Sequence, residues 1–157
     1  MSKLIFLDMD GVLNSMQSSH YYWKLKGRKS FMNDFDTLCP IACSNLQHIL
    51  ENVSKVQVVI SSTWRLFHGI EDWDQMKDKV PDLDVIGMTP NLAFNPRGHE
   101  IHKWLRDNNR LDSRYAVIDD DSDMDKVEDN FFKIDYRVGL SWVECEKIIE
   151  HLNKDEK

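Results

Sequence analysis

A chain of 157 residues, 41% of them apolar, holds material for one core and is short for two; with 30% charged and 10% aromatic residues it is not low-complexity, fibrous or globally disordered. Twenty Lys and Arg against 27 Asp and Glu give a net charge of −7, which argues against a general grip on duplex phosphates. That balance leaves room for a local basic patch around a nucleotide or a nucleic-acid end.

In chain order, the apolar run 4–7 ends in Asp8-Met9-Asp10-Gly11 and predicts a buried parallel-type strand followed by a turn. The run is too short for a signal-peptide core, and no stretch reaches the length of a membrane span. Residues 14–38 show no clean apolar period and read as an irregular flap inserted in a single domain over 1–157. After Pro40, the positions Ile41, Leu46, Ile49, Leu50 and Val53 predict a helix, and 56–60 a second strand that ends in Ser61, Ser62 and Thr63. A less regular segment follows and closes at Pro81; 85–88 predicts a short strand. A helix opening near Pro96-Arg97-Gly98 presents Ile101, Trp104 and Leu105 to a core, and 115–118 predicts a strand that stops at Asp119-Asp120-Asp121. The run 131–134 is a last strand. The final helix begins at Ser141 with Glu144 three residues on, a capping-box pattern, and sends Val143, Ile148, Ile149 and Leu152 inward. Trp142 and Cys145 read as core.

Strands alternating with helices predict an α/β fold, a Rossmann-like doubly wound parallel sheet, whose ligands gather beyond the carboxyl ends of the strands. Three strand ends then meet at one crest: Asp8 and Asp10, Ser61 and Ser62, Asp119 and Asp120. Each taken alone is an ordinary turn, a helix cap or a solvated acidic run; their convergence is the signal. Clustered carboxylates repel one another in a partly dry crevice and call for a cation, and an oxygen-only set suits Mg2+ better than Zn2+. Cys39, Cys43 and Cys145 form no Cys-x-x-Cys pair, so no disulfide framework or zinc site is expected and a cytoplasmic setting is. The six histidines show no zinc-like pairing beyond the spacing of three between His99 and His102.

Asp8-Met9-Asp10-Gly11-Val12-Leu13 resembles the first motif of the haloacid dehalogenase (HAD) superfamily in its phosphatase form. Ser61 after 58–60 and Asp119-Asp120 after 116–118 are similar to its second and fourth motifs. The resemblance implies that Asp8 is the nucleophile forming an aspartyl-phosphate and that Asp10 is the acid and base. It implies Mg2+ held by Asp8, the Asp10 backbone carbonyl and Asp119 or Asp120, with Asp123 toward its water shell. Phosphate contacts are expected from Ser61, with Ser62 close behind it. A third-motif cation near the start of a helix is also implied; Arg97 is the best positional match although the family more often has Lys, and Lys103 is the other candidate.

Within the superfamily the chain looks most like polynucleotide 3′-phosphatase domains and the HAD domains of RNA-repair proteins, which makes Arg65 a candidate substrate contact. A cap is minimal or missing, since 14–38 and 66–95 are both short for one, and an open site admits a polymer end. His20, Tyr21, Tyr22, Trp23, Lys24, Lys26, Arg28 and Lys29 suit a single-stranded nucleic-acid end as well as they suit a solvated flap. The expected activity is therefore a magnesium-dependent phosphomonoesterase acting on nucleotides or polynucleotide ends, with no membrane and no obligate protein partner. A nucleoside monophosphate phosphatase and a non-catalytic phosphate- or partner-binding module are the alternatives. A protein-phosphatase reading is weaker, because Val12 stands where that branch carries Thr.

Overall fold

The computed structural model describes residues 2–27 and 33–154. Five strands, β1 (Lys3–Leu7), β2 (Val56–Ile60), β3 (Val85–Met88), β4 (Tyr115–Asp119) and β5 (Phe131–Lys133), form one all-parallel sheet in the order β3-β2-β1-β4-β5. Among the described residues four α-helices accompany it: α1 (Met16–Lys26), α2 (Pro40–Asn52), α3 (Arg97–Asp107) and α4 (Trp142–Asn153). This is the Rossmann-like α/β architecture expected from the alternating runs.

Leu4–Leu7 of β1, Val58–Ile60 of β2 and Tyr115–Ile118 of β4 are apolar and buried because both sheet faces are covered there. Ile5, Leu7, Val58, Ile60, Ala116 and Ile118 pack with α2 and α4, while Leu4, Phe6, Val59 and Val117 pack under α3. On the α3 face the Phe6 ring meets Trp104 and Tyr115 edge-on, with centroids 5.5 and 5.7 Å apart.

Several local expectations need correction. The segment read as an irregular flap contains α1. Its N-terminus is closed by a reciprocal pair: the Ser15 hydroxyl accepts the Ser18 N–H at 3.1 Å and the Ser18 hydroxyl accepts the Ser15 N–H at 2.8 Å. Gly27 ends it in the left-handed conformation. The inward side of α1 carries buried Ser15 and Ser18 and half-buried Tyr22, whereas Met16, Trp23 and Leu25 face outward, so apolar periodicity could not reveal the helix. Of the basic-aromatic cluster, Arg28 and Lys29 lie outside the described residues.

Ile41 also faces outward, as do Trp142 and Val143 in the first turn of α4, where Cys145, Ile148 and Leu152 take the core. Trp142 instead stacks on His48 at 4.1 Å. The box at the start of α4 is not formed: the Ser141 hydroxyl donates to Glu144 and caps no backbone N–H. Of the histidines, His20 is exposed, but His48, His68, His99, His102 and His151 are half-buried. The segment 70–78 is a run of 3-10 helix that buries Trp73 and Met76 beside Phe35 and Trp64.

Candidate active site

Strand register brings the chemistry together. Leu7 is paired with Ile60 on one side and with Ile118 on the other, so the next residues of the three strands, Asp8, Ser61 and Asp119, stand abreast. The Asp8 N–H donates to the Ile118 carbonyl at 3.0 Å and the Ser61 N–H to the Leu7 carbonyl at 2.9 Å, which extends the ladder one step into the site. From β1 the chain winds outward through β2 to β3 and then returns to the other flank with β4. The gap between β1 and β4 is thus the switch point where open α/β sheets bind ligands.

Asp8 is 5% exposed and Asp119 fully buried. Each accepts one backbone N–H, Asp8 from Met9 at 2.8 Å and Asp119 from Asp121 at 2.9 Å. One carboxylate oxygen each of Asp8, Asp119 and half-buried Asp120 lies within 4.8 Å of the others. Burial, followed by the neighbouring Asp119, raises the Asp8 carboxyl well above the usual carboxylate range, against the pull of Arg97, the Met9 N–H and the Ser62 hydroxyl. Burial likewise raises Asp119 to about 6, and Arg97 is the largest influence in the other direction.

Two buried oxygens here accept or donate no hydrogen bond among the described residues: Asp119 Oδ2 and Ser61 Oγ. Asp119 Oδ2 has only the ion-pair contact of Arg97, and with the clustered carboxylates and the Ser61 hydroxyl it offers the hard oxygen donors that suit a divalent cation and a phosphate group, so the residues fit the cation that the sequence calls for.

Arg97 opens α3 and reaches back into the cluster. Its Nη1 lies 3.3 Å from Asp8 Oδ1 and 3.2 Å from Asp119 Oδ2 and donates to the Ser61 carbonyl. Burial opposes its charge, but Asp8, Asp119, Asp123 and Glu100 outweigh that, so the guanidinium stays protonated. Lys103 sits two turns further on and pairs with Asp107 at the surface. Asp123, expected near a metal's water shell, caps α3: its Oδ2 accepts the Arg97 N–H at 2.8 Å and its carbonyl accepts the Gly98 N–H at 2.9 Å. A side chain at Gly98 would meet the Asp125 carbonyl at 2.2 Å, so this helix can dock on the 123–125 loop only with glycine there.

Asp10 is exposed in the turn after β1, its Oδ1 accepting from Asn14 Nδ2 at 2.9 Å while Asn14 Oδ1 takes the Gly11 N–H at 3.0 Å. Gly11 has φ +79°, and a Cβ there would lie 2.4 Å from Asp120 Oδ2. Gly11→Ala is therefore expected to lower stability by about 1–2 kcal/mol and to push Asp120 out of the cluster, checked by thermal unfolding with and without Mg2+.

Ser62 is buried and its Oγ accepts the Trp64 N–H at 3.3 Å. Arg65 does not reach the cluster as an open substrate contact. Its Nη1 donates to the Ser62 carbonyl at 2.6 Å and its Nη2 meets Glu100 Oε2 at 2.8 Å, with both side chains 7% exposed. The other Glu100 oxygen accepts the Leu92 N–H at 2.9 Å. Glu100 thus fastens the loop after β2, the loop after β3 and α3 to one another. Nothing in the sequence singled out Glu100 or Asn14; a carboxylate one helical turn after Arg97, facing the core side of an amphipathic helix, was the available clue. Glu100→Ala leaves a buried guanidinium unpaired, and a loss of about 3–5 kcal/mol in urea unfolding is expected.

Residues 4–145 match the family described as the HAD domain in Swiss Army Knife RNA repair proteins, and the chain belongs to that family. Comparison with curated proteins and with solved structures gives no match.

Proposed function

We propose that this member of the HAD domain family of RNA repair proteins is a magnesium-dependent phosphomonoesterase that removes phosphate from nucleotides or polynucleotide ends, preferentially a 3′-phosphate. The observation that carries the reading is the packing of Asp8, Asp119 and Asp120 within 4.8 Å at the sheet switch point, with Arg97 against them.

In this reading the Asp8 oxygen not engaged by Met9 attacks phosphorus. The bond from phosphorus to the leaving oxygen breaks, and that oxygen takes a proton from Asp10. Asp10, on an exposed turn, then accepts a proton from water as the water attacks the aspartyl-phosphate, which frees phosphate and restores the Asp8 carboxylate. Ser61 donates to a phosphate oxygen, with Ser62 close behind it, and Arg97 neutralises the charge that develops on the phosphoryl group. Arg65 stands behind, holding the Ser61-Ser62 backbone. Mg2+ would be held by Asp8, the Asp10 carbonyl and Asp119 or Asp120, and when bound it supplies positive charge to the transferring phosphoryl group. Three carboxylates outweigh one divalent ion, which is why an arginine is needed against them before a phosphate dianion can enter.

The segments 14–38 and 66–95, short for a large cap, support a site open to a polymer end in a single domain without an obligate protein partner, and free thiols at Cys39, Cys43 and Cys145 fit a cytoplasmic setting. Among the described residues no helix is long and apolar enough to cross a membrane. The test is phosphate release, with Mg2+ and with chelator, from matched 3′- and 5′-phosphorylated oligonucleotides and free mononucleotides. Preference for the 3′-phosphorylated oligonucleotide is expected. Preference for mononucleotides would make it a nucleotidase, and silence on all three with Mg2+ would make it a binding module.

A further inference from the structure

The loop from β3 to α3 holds a residue in a conformation that gives the fold nothing in return. Phe94 has φ +64°, where an L side chain crowds its own following carbonyl, and its ring is fully exposed to water. Among the described residues the other non-glycine positions with positive φ are Asn33, Lys55, Asn109 and Lys126, none of them aromatic. The loop around Phe94 is firmly held. The Thr89 N–H donates to the Ile60 carbonyl at 2.9 Å, the Leu92 N–H to Glu100 at 2.9 Å and the Asn95 N–H to the Leu92 carbonyl at 3.0 Å, and Pro90 and Pro96 restrict the backbone on both sides. The backbone strain costs stability and the unburied ring returns none, so we read this held loop as presenting the ring.

Its position says to what. Phe94 precedes Arg97 by three residues, a span of at most about 11 Å, and Arg97 touches Asp8. On the adjoining loop Phe67, 64% exposed, follows Arg65 by two residues, and Glu100 ties that loop to the Phe94 loop. Two bare phenyl rings therefore sit on the loop that carries Ser61 and Ser62 and on the loop that leads into Arg97 at the start of α3.

We propose that Phe94, with Phe67 on the neighbouring loop, is a stacking site for the unpaired nucleobase of the nucleotide whose phosphate is seated at Asp8. The inference rests on the phosphomonoesterase reading and narrows its substrate to a single-stranded nucleic-acid end. Stacking suits this chain because it needs no positive charge, and a protein of net charge −7 gains little from the phosphate backbone at large.

The test is equilibrium binding, in an Asp8→Asn background with Mg2+ so that nothing turns over. The probes are single-stranded 3′-phosphorylated oligoribonucleotides whose terminal residue carries 2-aminopurine or is abasic. The base-bearing end should bind about 5- to 100-fold more tightly and show quenched fluorescence. Adding Phe94→Asn, which tolerates positive φ, should reduce that preference to within about twofold without lowering the Tm, while Phe94→Trp should retain it. An unchanged preference in Phe94→Asn, or equal weakening for both probes, overturns the proposal. So does a loss of self-association in Phe94→Asn with the base preference intact, which would make the rings a contact between copies. If the unmutated chain releases phosphate from no substrate and yet Phe94-dependent base preference persists, the phosphatase reading fails and the stacking site stands.

Discussion

Asp8→Asn is expected to abolish phosphate release, lowering kcat by at least roughly a thousandfold while the protein stays folded. The amide is almost isosteric, and its oxygen can keep the Met9 N–H bond, so packing around β1 does not change. What is lost is the nucleophile. The same substitution removes a carboxylate whose charge is opposed by burial and by Asp119, so without metal the variant should unfold at a temperature no lower than the parent does. Turnover above about a tenth of the parent's would overturn the mechanism, because Asp10 and Arg97 alone have no route to an aspartyl-phosphate.

Removal of divalent cation is expected to have the second-largest effect, and its pH dependence follows from the carboxyls. A carboxyl whose folded pKa is raised binds its proton more tightly in the native state than in the unfolded chain. Its contribution to stability is complete below the unfolded value near 4 and is lost as pH rises through the folded one. Asp119 lies at about 6 and Asp8 is raised as well, so the metal-free protein should lose stability between about pH 4 and pH 6 and above. Bound Mg2+ reverses this, since it favours the ionised forms and must displace protons to bind. At pH 7.5 a hundredfold excess over Kd should raise the Tm by about 5–10 °C, and at pH 5 the increment should shrink toward zero. Asp119→Asn should raise the metal-free Tm at pH 7.5 and remove the Mg2+ increment. A Mg2+ effect that grows as pH falls would show that the cluster is not the cation site.

The sequence exposed the strands well because each central one carries an apolar run, 4–7, 58–60 and 115–118, that is buried on both faces. Asp8, Ser61 and Asp119 were legible for the same reason, as the first polar residues after such runs. Position at the start of a helix points to Arg97, whose guanidinium lies within 3.3 Å of Asp8 and 3.2 Å of Asp119. The misreadings share one cause. α1 hides its inward side behind serines, and Ile41, Trp142 and Val143 are apolar residues in first helical turns that the neighbouring elements leave uncovered, so residue type alone misplaced them.

From its own local chemistry the sequence determines the alternating elements, the polar residues that end each strand, and the need for a cation among them. Other features depend on parts of the chain far apart in sequence and are settled only when the sheet closes. In-register pairing of β1 with β2 and β4 aligns Asp8, Ser61 and Asp119. Asp123 caps a helix that begins 26 residues earlier in the chain. Glu100 holds Arg65 in a buried pair behind Ser62. Local patterns record which face of an element is apolar, but a carboxylate's partner is chosen by burial, because a charge taken out of water must be met by whichever opposite charge the packed chain brings within reach.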